Sequence, residues 1–188
     1  STMKFFFIVS IIIFNVIYSS TSFAEWEIVA ENSEDTIFIE TTSRSIKMRF
    51  GDYDCYALDL GDFMVDGGAL FGTVPKIQWQ EKMPADSNNR VPLKSRALLI
   101  QGNGKQILVD AGFGTVLSAE TKAEYGIVDP VPNLNLILSG YDIDITQITD
   151  VVLTHLHFDH AGGSIMDSHG GPAPFFPNAV YHVQKEHW

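Results

Sequence analysis

The sequence predicts a layered α/β sandwich, on three observations. Short strands rich in β-branched and aromatic residues come first, and from residue 97 onward strands alternate with helical stretches, the order of a sheet packed with helices. Apolar residues make up 45% of the chain and charged residues 19%, the balance of a globular protein rather than a disordered one. The run His155-Leu156-His157-Phe158-Asp159-His160 follows the apolar segment Val151-Val152-Leu153 directly, so a reactive turn is placed at the end of a strand. With 188 residues the chain suits one domain.

The N-terminus reads as an address. Lys4 precedes an apolar run from Phe5 to Tyr18, broken by Ser10 and Asn15, and Ser19 to Ala24 ends in a small-x-small pattern. A positive start, an apolar middle and a small-residue cleavage site make a secretory signal peptide over 1–24, with Ser1 and Thr2 ahead of Met3 and cleavage expected after Ala24. The run is short of the ~20 residues of a membrane span, so a retained anchor is the alternative. The expected location is periplasmic or secreted, with the membrane met only through the signal.

Residues 25–44 form an acidic, polar extension of unassigned role, with a strand-like Thr36 to Ile39. Ile46 to Phe50 and Tyr53 to Leu58 read as two strands joined by the turn pair Gly51-Asp52. Cys55, the single cysteine, has no partner for an internal disulfide and reads as a small core residue. Pro75 to Met83 suits a short helix whose Trp79 belongs to the core or to a pocket, and Pro84 to Pro92 is a loop of Asn, Asp, Ser and Pro. Ala97 to Gln101 and Gln106 to Val109 are strands about the turn Gly102-Asn103-Gly104. Thr115 to Tyr125 and Asn133 to Ser139 read as helices.

The formal charge is −11, from 12 basic and 23 acidic residues, which argues against a nucleic-acid partner, because phosphate backbones reward clustered Lys and Arg. Gly112-x-Gly114 after a strand superficially suits a phosphate loop, but position 117 is leucine and no lysine follows at P-loop spacing.

Metal chemistry explains the histidines best. All six lie within the last 34 residues. His155 and His157, two apart at the end of an extended segment, project to one side and can reach one ion. Asp159 and His160 follow on a turn and can face a second. Zinc accepts this donor set of imidazole and carboxylate, and so do other divalent metals. Ala161-Gly162-Gly163 lets the backbone come close.

Thr154 to Gly163 resembles the signature of the metallo-β-lactamase superfamily. Gln106 to Gly114, with Asp110-x-Gly112, resembles that family's strand-then-aspartate element, and the approach Ile145 to Asp150 and the segments Phe176 to Tyr181 and Gln184 to Glu186 agree with it. Asp66 to Gly72, with Pro75-Lys76, looks like the early loop of the lactonase-like branch. The likeness covers about residues 45–188 and implies an αββα sandwich with a metal site at one rim, of which the N-terminal half to two-thirds is present here. It implies that His155 and His157 ligate a first metal, that Asp159 and His160 ligate a second, and that Asp110 supports a ligand by a hydrogen bond. A third ligand for the first metal, a bridging aspartate and a last histidine are expected downstream of Trp188. His169, His182 and His187 do not match those positions and are left to packing or surface roles.

The implied activity is that of an exported hydrolase with two zinc ions, in which metal-held hydroxide attacks a small-molecule substrate and Asp159 both ligates and orients the nucleophile. The early loop leans toward a homoserine lactone or another ester. A β-lactam or an organophosphate is the rival within the same chemistry. The alternative of another class is an inactive fragment that binds zinc or serves as a structural module.

Overall fold

The structure, a computed structural model, describes residues 40–42, 45–128 and 133–188. The expected signal peptide over 1–24 and most of the expected N-terminal extension, including 36–39, lie outside the described residues.

One seven-stranded sheet dominates, in the order β1-β2-β3-β4-β5-β6-β9. Its strands are β1 (Glu40–Thr42), β2 (Ser45–Phe50), β3 (Tyr53–Asp66), β4 (Arg90–Gly102), β5 (Lys105–Val109), β6 (Asp150–Val152) and β9 (Val180–His182). Strands β1 to β5 run as an antiparallel meander, and β5, β6 and β9 are parallel. A separate hairpin pairs β7 (Ile165–Ser168) with β8 (Gly171–Pro174). The described residues also form five short α-helices, α1 (Gly67–Phe71), α2 (Lys76–Trp79), α3 (Ala119–Glu124), α4 (Leu134–Ser139) and α5 (Phe158–Ala161), and 3-10 turns at Ile145–Gln147, Gly162–Ser164 and Lys185–His187. This is the mixed α/β architecture expected; of the two large sheets of a full sandwich, the described residues contain one.

Alternation along the strands covers both faces of the sheet with apolar side chains. Leu58, Leu60, Ala97, Leu99, Leu108 and Val151 point to one face, where Leu134 and Leu138 of α4 cover them together with Ile143, Ile148 and Phe176. Their neighbours Cys55, Leu98, Ile100 and Val109 point to the other, with Met48. Cys55 is buried as expected, and burial first, then the nearby Asp54 charge, pushes its thiol up to about 11, which leaves it protonated and inert.

Several boundaries differ from the sequence expectation. Strand β3 runs on to Asp66, past a bulge between Asp59 and Asp62 where Gly61 takes φ 113°. β4 begins at Arg90, so the end of the expected loop, Pro92 included, pairs with β3. The expected early loop holds a helix instead: Asp66 caps α1 by accepting from Ala69 N–H at 2.8 Å. Helix α2 is shorter than 75–83, and Trp79 belongs to the core. The helix expected from Thr115 starts at Ala119 because Ser118 accepts from Thr121 N–H and fixes the N-terminus there.

On the second face, Asp150 joins the parallel strands. It accepts from Lys105 Nζ and His182 Nε2 at 2.9 Å each, and from Thr149 Oγ1 at 2.7 Å. Burial works to raise its pKa, but these three donors outweigh it and hold the carboxyl at about 2. A depressed carboxylate stabilises the fold above its unfolded pKa of about 3.9 and loses that contribution as pH falls through about 2. Asp150→Asn is therefore expected to melt a few degrees below the parent at neutral pH, with the gap closing between about pH 4 and pH 2. Melting curves across that range check it; a gap that persists at pH 2 contradicts it.

Candidate metal centre

Strands β5 and β6 are parallel, with Val109 opposite Val152, so both chains leave the sheet at the same edge. Asp110 and Thr154 follow these ends and meet there. Such edges are where open α/β sheets bind ligands. Asp110 is 2% exposed and holds φ at 59°, a left-handed backbone that Asp tolerates better than most residues. Its N–H still bonds Val152 C=O at 2.9 Å, which fixes the strained residue to the neighbouring strand.

The Asp110 carboxylate organises the cluster. Thr154 donates to it twice, from its backbone N–H at 2.8 Å and from its hydroxyl at 2.8 Å to Oδ2. His160 Nδ1 lies 2.7 Å from Oδ2. A carboxylate only accepts, so His160 Nδ1 carries hydrogen and its Nε2 faces outward. Thr154 Oγ1, its own hydrogen given to Asp110, lies 3.1 Å from His155 Nδ1 and accepts from it. His155 Nε2 is thereby left as a lone pair. One buried carboxylate thus sets the tautomer of two histidines, directly for His160 and through Thr154 for His155. The role of Thr154 was not read from the sequence; a hydroxyl next to the first histidine was its only signal.

The expected donors lie close together in two pairs. The His155 ring centroid is 4.6 Å from that of His157 and 4.0 Å from that of His160. His155 Nε2 faces His157 Nδ1 at 3.1 Å, and His160 Nε2 faces Asp159 Oδ2 at 3.2 Å. Two ligands on one tetrahedral zinc, each ~2.0–2.1 Å from it, stand about 3.3 Å apart. Both pairs have nearly this spacing, which is also that of the hydrogen bond each makes with no ion between them. Among the described residues no group of three or more His, Cys, Asp or Glu side chains is arranged to hold an ion. The donors stand two by two instead. His169 lies exposed in the β7–β8 turn, His182 binds Asp150, and His187 is exposed, as expected of surface roles.

Charge in the cluster follows from these contacts. Burial opposes a proton on His160, but hydrogen bonds and charge from Asp110 and Asp159 outweigh it and raise its pKa to about 9, so with no ion bound its Nε2 also carries hydrogen, which a cation there would displace. Burial lowers that of His155, and the neighbouring imidazoles His160 and His157 add to the fall. For Asp159 burial is likewise outweighed, by His160, and the carboxyl lies below its ordinary value.

The scaffold behind the donors is tight. Phe158 packs its ring 4.5 Å from that of Tyr125 and 6.1 Å from that of Phe113, which anchors α5. Gly114 and Gly163 sit where the two loops cross; a Cβ at either would strike main-chain atoms, of Gly162 and of Ala111 respectively.

Residues 90–166, which include Asp110 and all four donors, match the Metallo-beta-lactamase superfamily. The chain carries the sequence pattern of that superfamily. Its fold agrees with solved metallo-β-lactamase-type structures. A probable metal-dependent hydrolase from Staphylococcus aureus is 35% identical with a TM-score of 0.68, over 75% of this chain and 50% of that one. The hydrolase AbOPH of the beta-lactamase superfamily is 24% identical with a TM-score of 0.58, over 79% and 47%. AidC, a dizinc quorum-quenching lactonase solved with a product homoserine, is 21% identical with a TM-score of 0.57, over 77% and 46%. The last two show the fold alone. The chain spans about half the length of these structures. No curated protein matches it.

Proposed function

We propose that this chain carries half of the metal centre of an exported metal-dependent hydrolase acting on a lactone or another ester. The observation that carries the reading is the pair of donor pairs, His155 with His157 and Asp159 with His160, each at the spacing of two ligands on one ion. His155 and His157 hold the first cation through Nε2 and Nδ1. Asp159 and His160 hold the second through Oδ2 and Nε2. Asp110 keeps His155 and His160 in the tautomers that present those nitrogens. When bound by these residues, divalent cations would supply polarisation of a carbonyl oxygen and a water whose pKa is lowered toward ~7. Zinc is the metal proposed.

The coarse reading is supported by the 35% identical Staphylococcus aureus protein, a probable metal-dependent hydrolase. The export reading rests on Lys4, the apolar run and the small residues before Glu25. The test is a substrate panel on the natural mature protein loaded with zinc: an acyl-homoserine lactone, an aryl ester, a β-lactam and a phosphotriester. The lactone or the ester is expected to turn over fastest, with all turnover abolished by a chelator. A β-lactam or phosphotriester turned over faster moves the assignment to that substrate class, and no chelator-sensitive turnover of any of the four contradicts it.

A further inference from the structure

We propose that Ser95 is the positioning residue for the second cation: its hydroxyl fixes the main chain at Asp159 and so aims Asp159 and His160 as a pair. The inference rests on the metal-centre reading above. Helix α5 has four residues, too few to satisfy its own carbonyls. His157 C=O accepts from the N–H groups of His160 and Ala161, and Phe158 C=O accepts from that of Gly162. The next two carbonyls, those of the proposed second-site ligands, are held from outside the helix. Ser95 Oγ donates to Asp159 C=O at 2.9 Å, and Ala111 N–H donates to His160 C=O at 2.7 Å.

Ser95 is built to do this. It is 3% exposed, in the middle of β4, and its hydroxyl reaches a residue 64 positions away. The β3 bulge lies opposite it: Lys94 pairs with Asp62 and Arg96 with Asp59, so Ser95 falls where the ladder is interrupted. Bulges redirect side chains, and this one lies beside the candidate site. Gly112 leaves the space: a Cβ there would come within 3.4 Å of Ser95 Oγ and 2.8 Å of the Leu60 side chain. His155 and His157 are supported differently, by Thr154 and by each other, and no hydrogen bond joins Ser95 to either among the described residues. Loss of the Ser95 hydroxyl therefore falls on one donor pair and spares the other.

Zinc titration of the natural protein with competing chelator, alongside its melting temperature, tests this. Ser95→Ala is expected to hold the first ion as the parent does and to bind the second about 10–100-fold more weakly. Ser95→Cys, close in size with a weak donor, gives the same split and serves if the alanine variant does not fold. Unchanged affinity for both ions, or equal weakening of both, overturns the Ser95 assignment while leaving the metal centre standing. A parent protein that takes up no zinc overturns both.

Discussion

His157→Ala is expected to lose the first zinc ion, about half of the bound metal, and the hydrolytic activity with it. The substitution removes Nδ1, the atom that faces His155 Nε2 at 3.1 Å, and leaves a single imidazole on that side of the cluster. Structural zinc sites release ~10–16 kcal/mol over four ligands, so one ligand is worth about 3 kcal/mol, or on the order of a hundredfold in affinity. The fold should survive, because His157 is exposed and its side chain makes no capping bond to α5. Elemental analysis and rate measurement on the same preparation decide it. Full zinc content with unchanged lactone and ester hydrolysis contradicts the ligand assignment.

Asp110→Asn is expected to cost both stability and metal. Asn tolerates the left-handed backbone about as well as Asp, so the change isolates the carboxylate from the strain at φ 59°. An amide has one acceptor oxygen where the carboxylate has two, and its NH2 confronts either Thr154 or His160, both donors toward Asp110. One buried charged hydrogen bond is lost, worth about 2 kcal/mol. The tautomers of His155 and His160 are no longer fixed, so affinity for both ions falls by ~10–100-fold. Chelator competition and thermal melting measure the two effects separately. A variant with parental zinc affinity contradicts the role given to Asp110.

Much of this was legible because it is local. The alternation in 53–58 and 97–109 marks strands, and the turn residues Gly51-Asp52 and Asn103-Gly104 mark where they reverse. The donors fall within six residues, so the sequence alone brings them together. What escaped is set by tertiary contact or hidden by local signals. The bulge near Gly61 breaks the alternation that would have carried β3 to Asp66. Pro92 demotes a segment that pairs with β3 all the same. The β7–β8 hairpin carries no strand signal, since Gly170, Gly171, Pro172 and Pro174 lie within or beside its strands. Ser95 and Thr154 could not be singled out, because each acts on a partner brought close by the packing of β4, β5 and β6.

Two donor pairs at one sheet edge are each expected to grip a cation. Anomalous diffraction from crystals of the natural protein grown with zinc tests it most directly. Two peaks are expected, one between His155 and His157 and one between Asp159 and His160. No peak there, or zinc held by other residues, contradicts the account.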